Sequence, residues 1–553
     1  MENQTKLNAY LLQSMVNNWE LPALTDFDGV SYNYKDVARK IMKLHILFEH
    51  CGLHAGDKVA LCGKNSAQWA VAFLGGITYG IIVVPILSDF KPDTIHHLVN
   101  HSEARLLFTD EHIWENLDPA AMDALEGVFN LSDFSLLISR HAGLTSAREH
   151  LNELFGRMFP ERFTPADLKV YDEPDSDAVA LINYTSGSTG FSKGVMLTYR
   201  NLWSNIQFTI DNLQFLNPGD GIVCMLPLAH MYGLVVDLLH TFVKGCHIHF
   251  LTRTPSPRVI MDAFARVRPK LIVSVPLIIE KIIKTRVFPL LEKPMMKLML
   301  HVPFVDDHLL NRIRQQLTQT FGGNLQEMII GGAGLNREVA DFLRRIGFPF
   351  TVGYGMTECA PLISYAPWTE ARPGSCGRVV TRMTARIIAP DADGAGVIFV
   401  KGDNVMKGYF KNPEATAEAI DGDGWLCTGD IGTIDSDGFI YLRGRDKNML
   451  LGPSGQNIYP EEIEQVLNNL PYVNESLIVS DADHRLVALI HPDYDLALKS
   501  GLDEAALKAA MDANLVQLNK DVPAYSRVSS YRLMAEEFEK TPKRSIKRFL
   551  YQA

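Results

Sequence analysis

Strand-like runs rich in valine and isoleucine alternate with helical patterns along most of this chain: KVALC near 58–62, GIIVVPI near 80–86, ARLLFTD near 104–110 and KLIVSVP near 270–276. Such alternation implies parallel strands covered by helices, because a parallel neighbour is reached only through a crossover, and the crossover helix packs on the sheet. From about residue 380 the texture changes. Shorter strands are punctuated by turn signals, APDADGAG at 389–396 and DSDGF at 435–439, which read as hairpins of a smaller antiparallel barrel or sheet. The charge-dense RGRDKN at 443–448 lies between FIYL and MLLG and reads as a linker. Beyond it, helix patterns at 460–469 and 503–519 and strand patterns at 474–480 and 486–491 suffice for a small α+β domain. The expected fold is therefore α/β, a large domain of parallel sheets with an antiparallel barrel-like part, followed by a small α+β domain.

At 553 residues the chain exceeds what one hydrophobic core organises. Its formal charge of −11 excludes a nucleic acid polymer as the main partner, since neutralising phosphates needs a basic surface. Seven scattered cysteines with no C-x-x-C pair give neither a zinc site nor a disulfide framework, and point to a reducing cytoplasm. The N-terminus shows no basic region followed by an apolar block, so no secretory signal is read. The uncharged stretch Trp69 to Leu87 is nearly long enough to span a bilayer. Its glycines and proline fit better a packed helix running into a buried strand, which leaves room for membrane contact only at the periphery.

The sharpest local feature is Thr185-Ser186-Gly187-Ser188-Thr189-Gly190, followed by Lys193-Gly194 and preceded by the strand-like VALINYT. Small residues let backbone N–H groups approach a phosphate, the hydroxyls add donors and Lys193 adds a cation. A flexible Ser/Gly linker would predict neither the lysine nor the strand. The spacing is not that of a Walker A loop, because Ser192 precedes the lysine and Gly194 follows it.

These residues resemble the phosphate-binding signature of the acyl-adenylate-forming superfamily, which includes acyl-CoA synthetases, adenylation domains of peptide synthetases and firefly-type luciferases. Further segments follow in that family's order. Leu226-Pro-Leu-Ala-His230 resembles the segment whose histidine lies beside the carboxylate site, and Gly332-Ala333-Gly334 the strand end that packs on adenine. In Tyr354-Gly355-Met356-Thr357-Glu358 the resemblance implies purine stacking by Tyr354, α-phosphate contact by Thr357 and Mg²⁺ ligation by Glu358, a hard oxygen donor of the kind magnesium prefers. Gly402 to Tyr409 resembles another shared segment. The resemblance also gives Asp430 and Arg445 to the ribose, Lys447 to a domain pivot and Gly455 to a loop approached by pantetheine. It implies a large domain over 1–444, a hinge at 445–448 and a mobile domain over 449–553.

One family feature is absent. The C-terminal lysine that the family delivers to the carboxylate and α-phosphate aligns with Ser545. In an extended segment residues two apart share a face, roughly 6–7 Å apart, so Lys543 or Lys547 is expected to substitute. The resemblance implies an AMP-forming acyl-CoA synthetase of the bacterial long-chain type, with ATP, Mg²⁺ and CoA. His230 is read as a gate or positioning group, because a carboxylate nucleophile is already ionised. The acyl pocket is expected around 226–234, Val273–Ile279 and Gly331–Gly334, all apolar, which favours a fatty acid over an amino acid. Alternatives remain: a ligase that loads an acyl carrier protein, an aryl-acid CoA ligase, and a nucleotide-binding regulator weakened at Ser545.

Overall fold

The structure, a computed structural model, describes residues 6–185, 192–252, 256–291, 305–451, 457–481, 485–541 and 546–552. Its largest sheet has eight strands, whose central members Val179–Thr185, Ile82–Ile86, Lys58–Cys62, Ala104–Thr109 and Gly127–Asn130 run parallel. Antiparallel strands extend both edges: Leu136–Ser139 on one side, and Lys193–Thr198 followed by Gly408–Tyr409 on the other. A second, wholly parallel sheet joins Leu271–Ser274, Glu327–Ile330 and Phe350–Val352. The candidate motifs follow the C-terminal ends of such strands, where open α/β sheets place their ligands.

The apolar segment Trp69 to Leu87 is a buried helix and strand. Ser66 accepts a hydrogen bond from the Trp69 N–H and starts the helix Ala67–Tyr79, and Gly80 ends it with φ of +92°. Trp69 and Phe73 are fully buried and stack at 5.6 Å. Gly76 is small of necessity, since a Cβ there would stand 2.7 Å from Val83 Cγ2. Among the described residues no helix is long and apolar enough to cross a membrane.

The predicted hairpins also form. Strands Met383–Ile388, Gly396–Gly402, Leu426–Ile434 and Ile440–Arg445 make an antiparallel sheet in which 389–395 and 435–439 are the connections. The charged linker is shorter than its composition suggests. Arg443 to Arg445 continue the last strand, and only Asp446–Asn448 form a separate 3-10 turn. The C-terminal part has a three-stranded sheet, Val473–Ser480, Leu486–Pro492 and Val528–Leu533, packed with the helices Pro460–Leu467 and Glu504–Asp521 around its own core.

Candidate active site

A cleft of about 2460 Å³ opens between the sheets of the larger part and the C-terminal part. Ligand pockets usually occupy roughly 300–1,000 Å³, so this one has room for more than one substrate. On the larger side its wall includes Thr185, Lys193, His230, Gly332, Ala333, Gly334, Tyr354, Gly355, Thr357, Glu358 and Asp430. Arg445 and Lys447 line it at the junction, and Lys547 lines it from the far side. Those of the sequence-predicted residues that the structure describes therefore line one cleft. Ser186, Gly187, Ser188, Thr189, Gly190, Lys543 and Gly455 lie outside the described residues.

The strands on either side of segment 186–190 pair with each other. Thr185 ends one strand, Lys193 begins the next, and the two are direct partners in the antiparallel ladder. Lys193 Nζ stands 4.7 Å from the centroid of the Tyr409 ring, a cation–π geometry.

In the same cleft, Asp430 is held between two groups. Its strand pairs with Ile440–Arg445 so that Asp430 faces Arg445, whose Nε is 2.8 Å from Oδ1. The Tyr354 hydroxyl donates to Oδ2 at 2.6 Å. Burial raises the Asp430 carboxyl above its usual range, and the Arg445 charge and Tyr354 hydrogen bond oppose that rise. A carboxylate is a strong hydrogen-bond acceptor, and here each oxygen has a donor within the protein.

Gly355 is fixed by space rather than torsion: a Cβ there would stand 2.1 Å from the Pro361 carbonyl oxygen. Glu358 is nearly buried, and its Oε1 accepts a 3.0 Å hydrogen bond from the Tyr409 hydroxyl. Among the described residues no three metal-ligating side chains cluster. A single carboxylate fits a magnesium ion that arrives on a triphosphate, because that ion is usually held by one or two carboxylates together with phosphate oxygens and water.

From the C-terminal part, Thr541, Ile546 and Lys547 line the same cleft as Thr357 and Glu358. Lys540 and Ile546 bridge as antiparallel partners, and Lys547 Nζ is 3.2 Å from Glu539 Oε2. Arg548 pairs with Glu464. Burial pushes the Glu464 carboxyl up to about 7 against the pull of that arginine. Contacts across the cleft are polar: Gln465 Nε2 donates to the Leu335 carbonyl at 2.9 Å, and Asn336 bonds to Asn469.

The apolar wall differs in part from expectation. Val275 lines the cleft, but Val273 is buried in mid-strand. Strand alternation does not explain this, since residues two apart share a side; the strand ends at Ser274, and Val275 lies beyond it. Sequence reasoning missed the helix Tyr199–Asn212, which contributes Phe208 and Thr209, together with Ile329 and Tyr365. The amphipathic spacing of that helix was the available signal, but it does not say which neighbour the face meets. Tyr232 completes this wall, its hydroxyl donating to the Ile329 carbonyl at 3.0 Å and its ring packed beside Gly331.

Residues 13–410 match the AMP-binding enzyme family, and residues 447–552 match the AMP-binding enzyme C-terminal domain. The chain belongs to this family of adenylate-forming acyl- and aryl-CoA ligases, AMP-forming acid–thiol ligases. Long-chain-fatty-acid–CoA ligase FadD15 of Mycobacterium bovis is 27% identical over 543 residues, covering 90% of this chain and 86% of the relative. 4-Coumarate-CoA ligase 1 of Narcissus pseudonarcissus is 28% identical over 497 residues, covering 86% and 82%. The same fold occurs in ATP-bound MatB from Rhodopseudomonas palustris, with a TM-score of 0.76, 23% identity and coverage of 99% and 98%.

Proposed function

We propose that this chain is a fatty-acyl-CoA synthetase, which joins a medium- or long-chain fatty acid to AMP with release of pyrophosphate and then passes the acyl group to CoA. The observation that carries the fatty-acid reading is the apolar stretch of cleft wall formed by Phe208, Leu213, Met231, Val236 and Ile329. An alkyl chain laid there leaves water at about 25 cal/mol per Å² of buried area, whereas none of these five side chains offers an ammonium group a counter-charge. The long-chain relatives support the same substrate class.

In the first step a carboxylate oxygen attacks the α-phosphorus, the bond to the bridging oxygen of pyrophosphate breaks, and a mixed anhydride forms. Two anions meet, so charge compensation dominates the barrier. Lys193 faces the phosphates, Thr357 donates to the α-phosphate, and Lys543 or Lys547 approaches from the C-terminal side. Glu358 would hold the magnesium of MgATP, which neutralises the triphosphate when bound. Tyr354, Gly332, Ala333 and Gly334 flank the purine, Asp430 and Arg445 the ribose, and His230 the acid. The lining positions of Thr541, Ile546 and Lys547 support this as the arrangement for adenylation.

For the second step the domain over 449–553 turns about Lys447, bringing the loop of Gly455 toward the adenylate for the CoA thiol. The exposed Asp446 and Lys447 support a pivot there, because rotation at those two residues would break little side-chain packing. The test is carboxylate-dependent ATP–pyrophosphate exchange with fatty acids of increasing length beside benzoate- and cinnamate-type acids, then thioester formation with free CoA or carrier protein. Preference for the aromatic acids would favour the second reading, which the 4-coumarate ligase similarity supports. No exchange with any acid would defeat both.

A further inference from the structure

Tyr409 ends the segment Gly402 to Tyr409, to which the roles above assign nothing. The fold uses that segment as a beam between the cradle strand and the loop of Glu358. The Met406 N–H donates to the Glu358 carbonyl at 2.8 Å, and Asn404 Nδ2 donates to the Leu362 carbonyl at 2.7 Å. On the other side the Lys407 N–H donates to the Met196 carbonyl and the Phe410 N–H to the Gly194 carbonyl. The Tyr409 N–H is itself held by Thr416 Oγ1 at 2.9 Å. Gly408, at φ of +139°, leaves no room for a Cβ, which would meet Thr416 Cγ2 at 2.7 Å. The backbone around Tyr409 is thereby fixed on both flanks.

From this fixed point the side chain, 8% exposed, touches two charges. Its hydroxyl donates to Glu358 Oε1 at 3.0 Å, and its ring lies 4.7 Å from Lys193 Nζ. We propose that Tyr409 is a positioning residue for nucleotide activation, its hydroxyl orienting Glu358 toward the divalent cation and its ring orienting Lys193 toward the phosphates. The inference rests on the roles given to Glu358 and Lys193 under the proposed function. Physically, a carboxylate held through one oxygen presents the other in a set direction, and loss of a hydrogen-bonding partner of a metal ligand typically lowers metal affinity by about 10–100-fold. A lysine resting on an aromatic face has fewer rotamers to give up when a phosphate arrives.

The test separates the hydroxyl from the ring without requiring turnover. Mn²⁺ binding is titrated by electron paramagnetic resonance in the presence of α,β-methylene-ATP, and metal-free analogue binding by calorimetry, for wild type, Tyr409→Phe and Tyr409→Leu. Tyr409→Phe is expected to weaken Mn²⁺ about tenfold while metal-free analogue affinity stays within about twofold of wild type. Tyr409→Leu is expected to weaken both. Wild-type Mn²⁺ affinity in Tyr409→Phe overturns the proposal, as does an equal loss in metal-free binding, which would mark a general disturbance of the fold. Failure of wild type to bind Mn²⁺ with the analogue overturns it too, by removing the metal role of Glu358. The proposed substrate fails separately, through absence of acid-dependent exchange, and leaves the Mn²⁺ comparison standing.

Discussion

Arg445 reaches Asp430 across two adjacent strands, with Nε 2.8 Å from Oδ1, while the Tyr354 hydroxyl takes the other carboxylate oxygen. Asp430→Asn preserves the shape but leaves Arg445 without its counter-charge and, in the proposed ribose contact, supplies a weaker acceptor. Nucleotide affinity is expected to fall about tenfold or more, the scale of one lost charge-assisted hydrogen bond. Calorimetric titration with ATP measures this. A variant that binds ATP as tightly as wild type removes Asp430 from the nucleotide site.

Lys193 begins its strand directly opposite Thr185 and rests on the Tyr409 ring, so its replacement leaves the ladder intact. Lys193→Ala should lower pyrophosphate exchange by about 100-fold, as loss of one aligned charge-stabilising group does. Binding of the acid, followed by calorimetry, should change little. Equal losses in both measurements would place the lysine in general folding instead of phosphate stabilisation.

Much of this arrangement is legible in the chain itself, where the physics is local. The parallel strands at 58–62 and 104–109 announce themselves by apolar runs, and the hairpins after 388 and 434 by Asp- and Gly-rich turns. Strand Val528–Leu533 was not legible, because its serines and arginine face solvent and break the apolar alternation. The RGR of the supposed linker likewise reads as loop by charge, although exposed strand positions tolerate charge freely. Links such as Tyr409 to Glu358 and Arg548 to Glu464 join residues 51 and 84 apart in sequence. No periodicity encodes them; they follow from the way separate elements stack.

Beside the apolar wall, Glu327 is buried with the Tyr365 hydroxyl on Oε2 and the Trp368 N–H on Oε1, both at 2.9 Å. Burial pushes its carboxyl up to about 7, above the 4.5 of an unperturbed glutamate. The folded protein thus holds this proton more tightly than the unfolded chain, and stability declines as pH rises from about 4.5 through 7. Glu327→Gln keeps an acceptor for Trp368 and donates to the Tyr365 oxygen, with no charge to bury. At pH 5 its melting temperature should match wild type; at pH 8 the variant should be more stable by about 1–3 kcal/mol. Denaturant titrations at the two pH values decide it, and a variant less stable at pH 8 contradicts the assignment.

The last prediction concerns the cation absent at Ser545. Lys547 lines the cleft but its ammonium stands 3.2 Å from Glu539 Oε2, and that glutamate is 65% exposed. An exposed pair of this kind is worth about 0–1 kcal/mol, so it does not prevent the lysine from turning to a phosphate. Of Lys543→Ala and Lys547→Ala, one is expected to lower exchange about 100-fold. Neither should slow, by more than a few-fold, thioester formation from preformed acyl-adenylate, because the second step no longer joins a carboxylate to a phosphate. If Lys547 is the active group, Glu539→Gln should leave exchange unchanged or faster; if Lys543 is, Glu539→Gln should have no effect. Wild-type exchange in the double variant would exclude both lysines and leave adenylation to Lys193 and the nucleotide-bound metal.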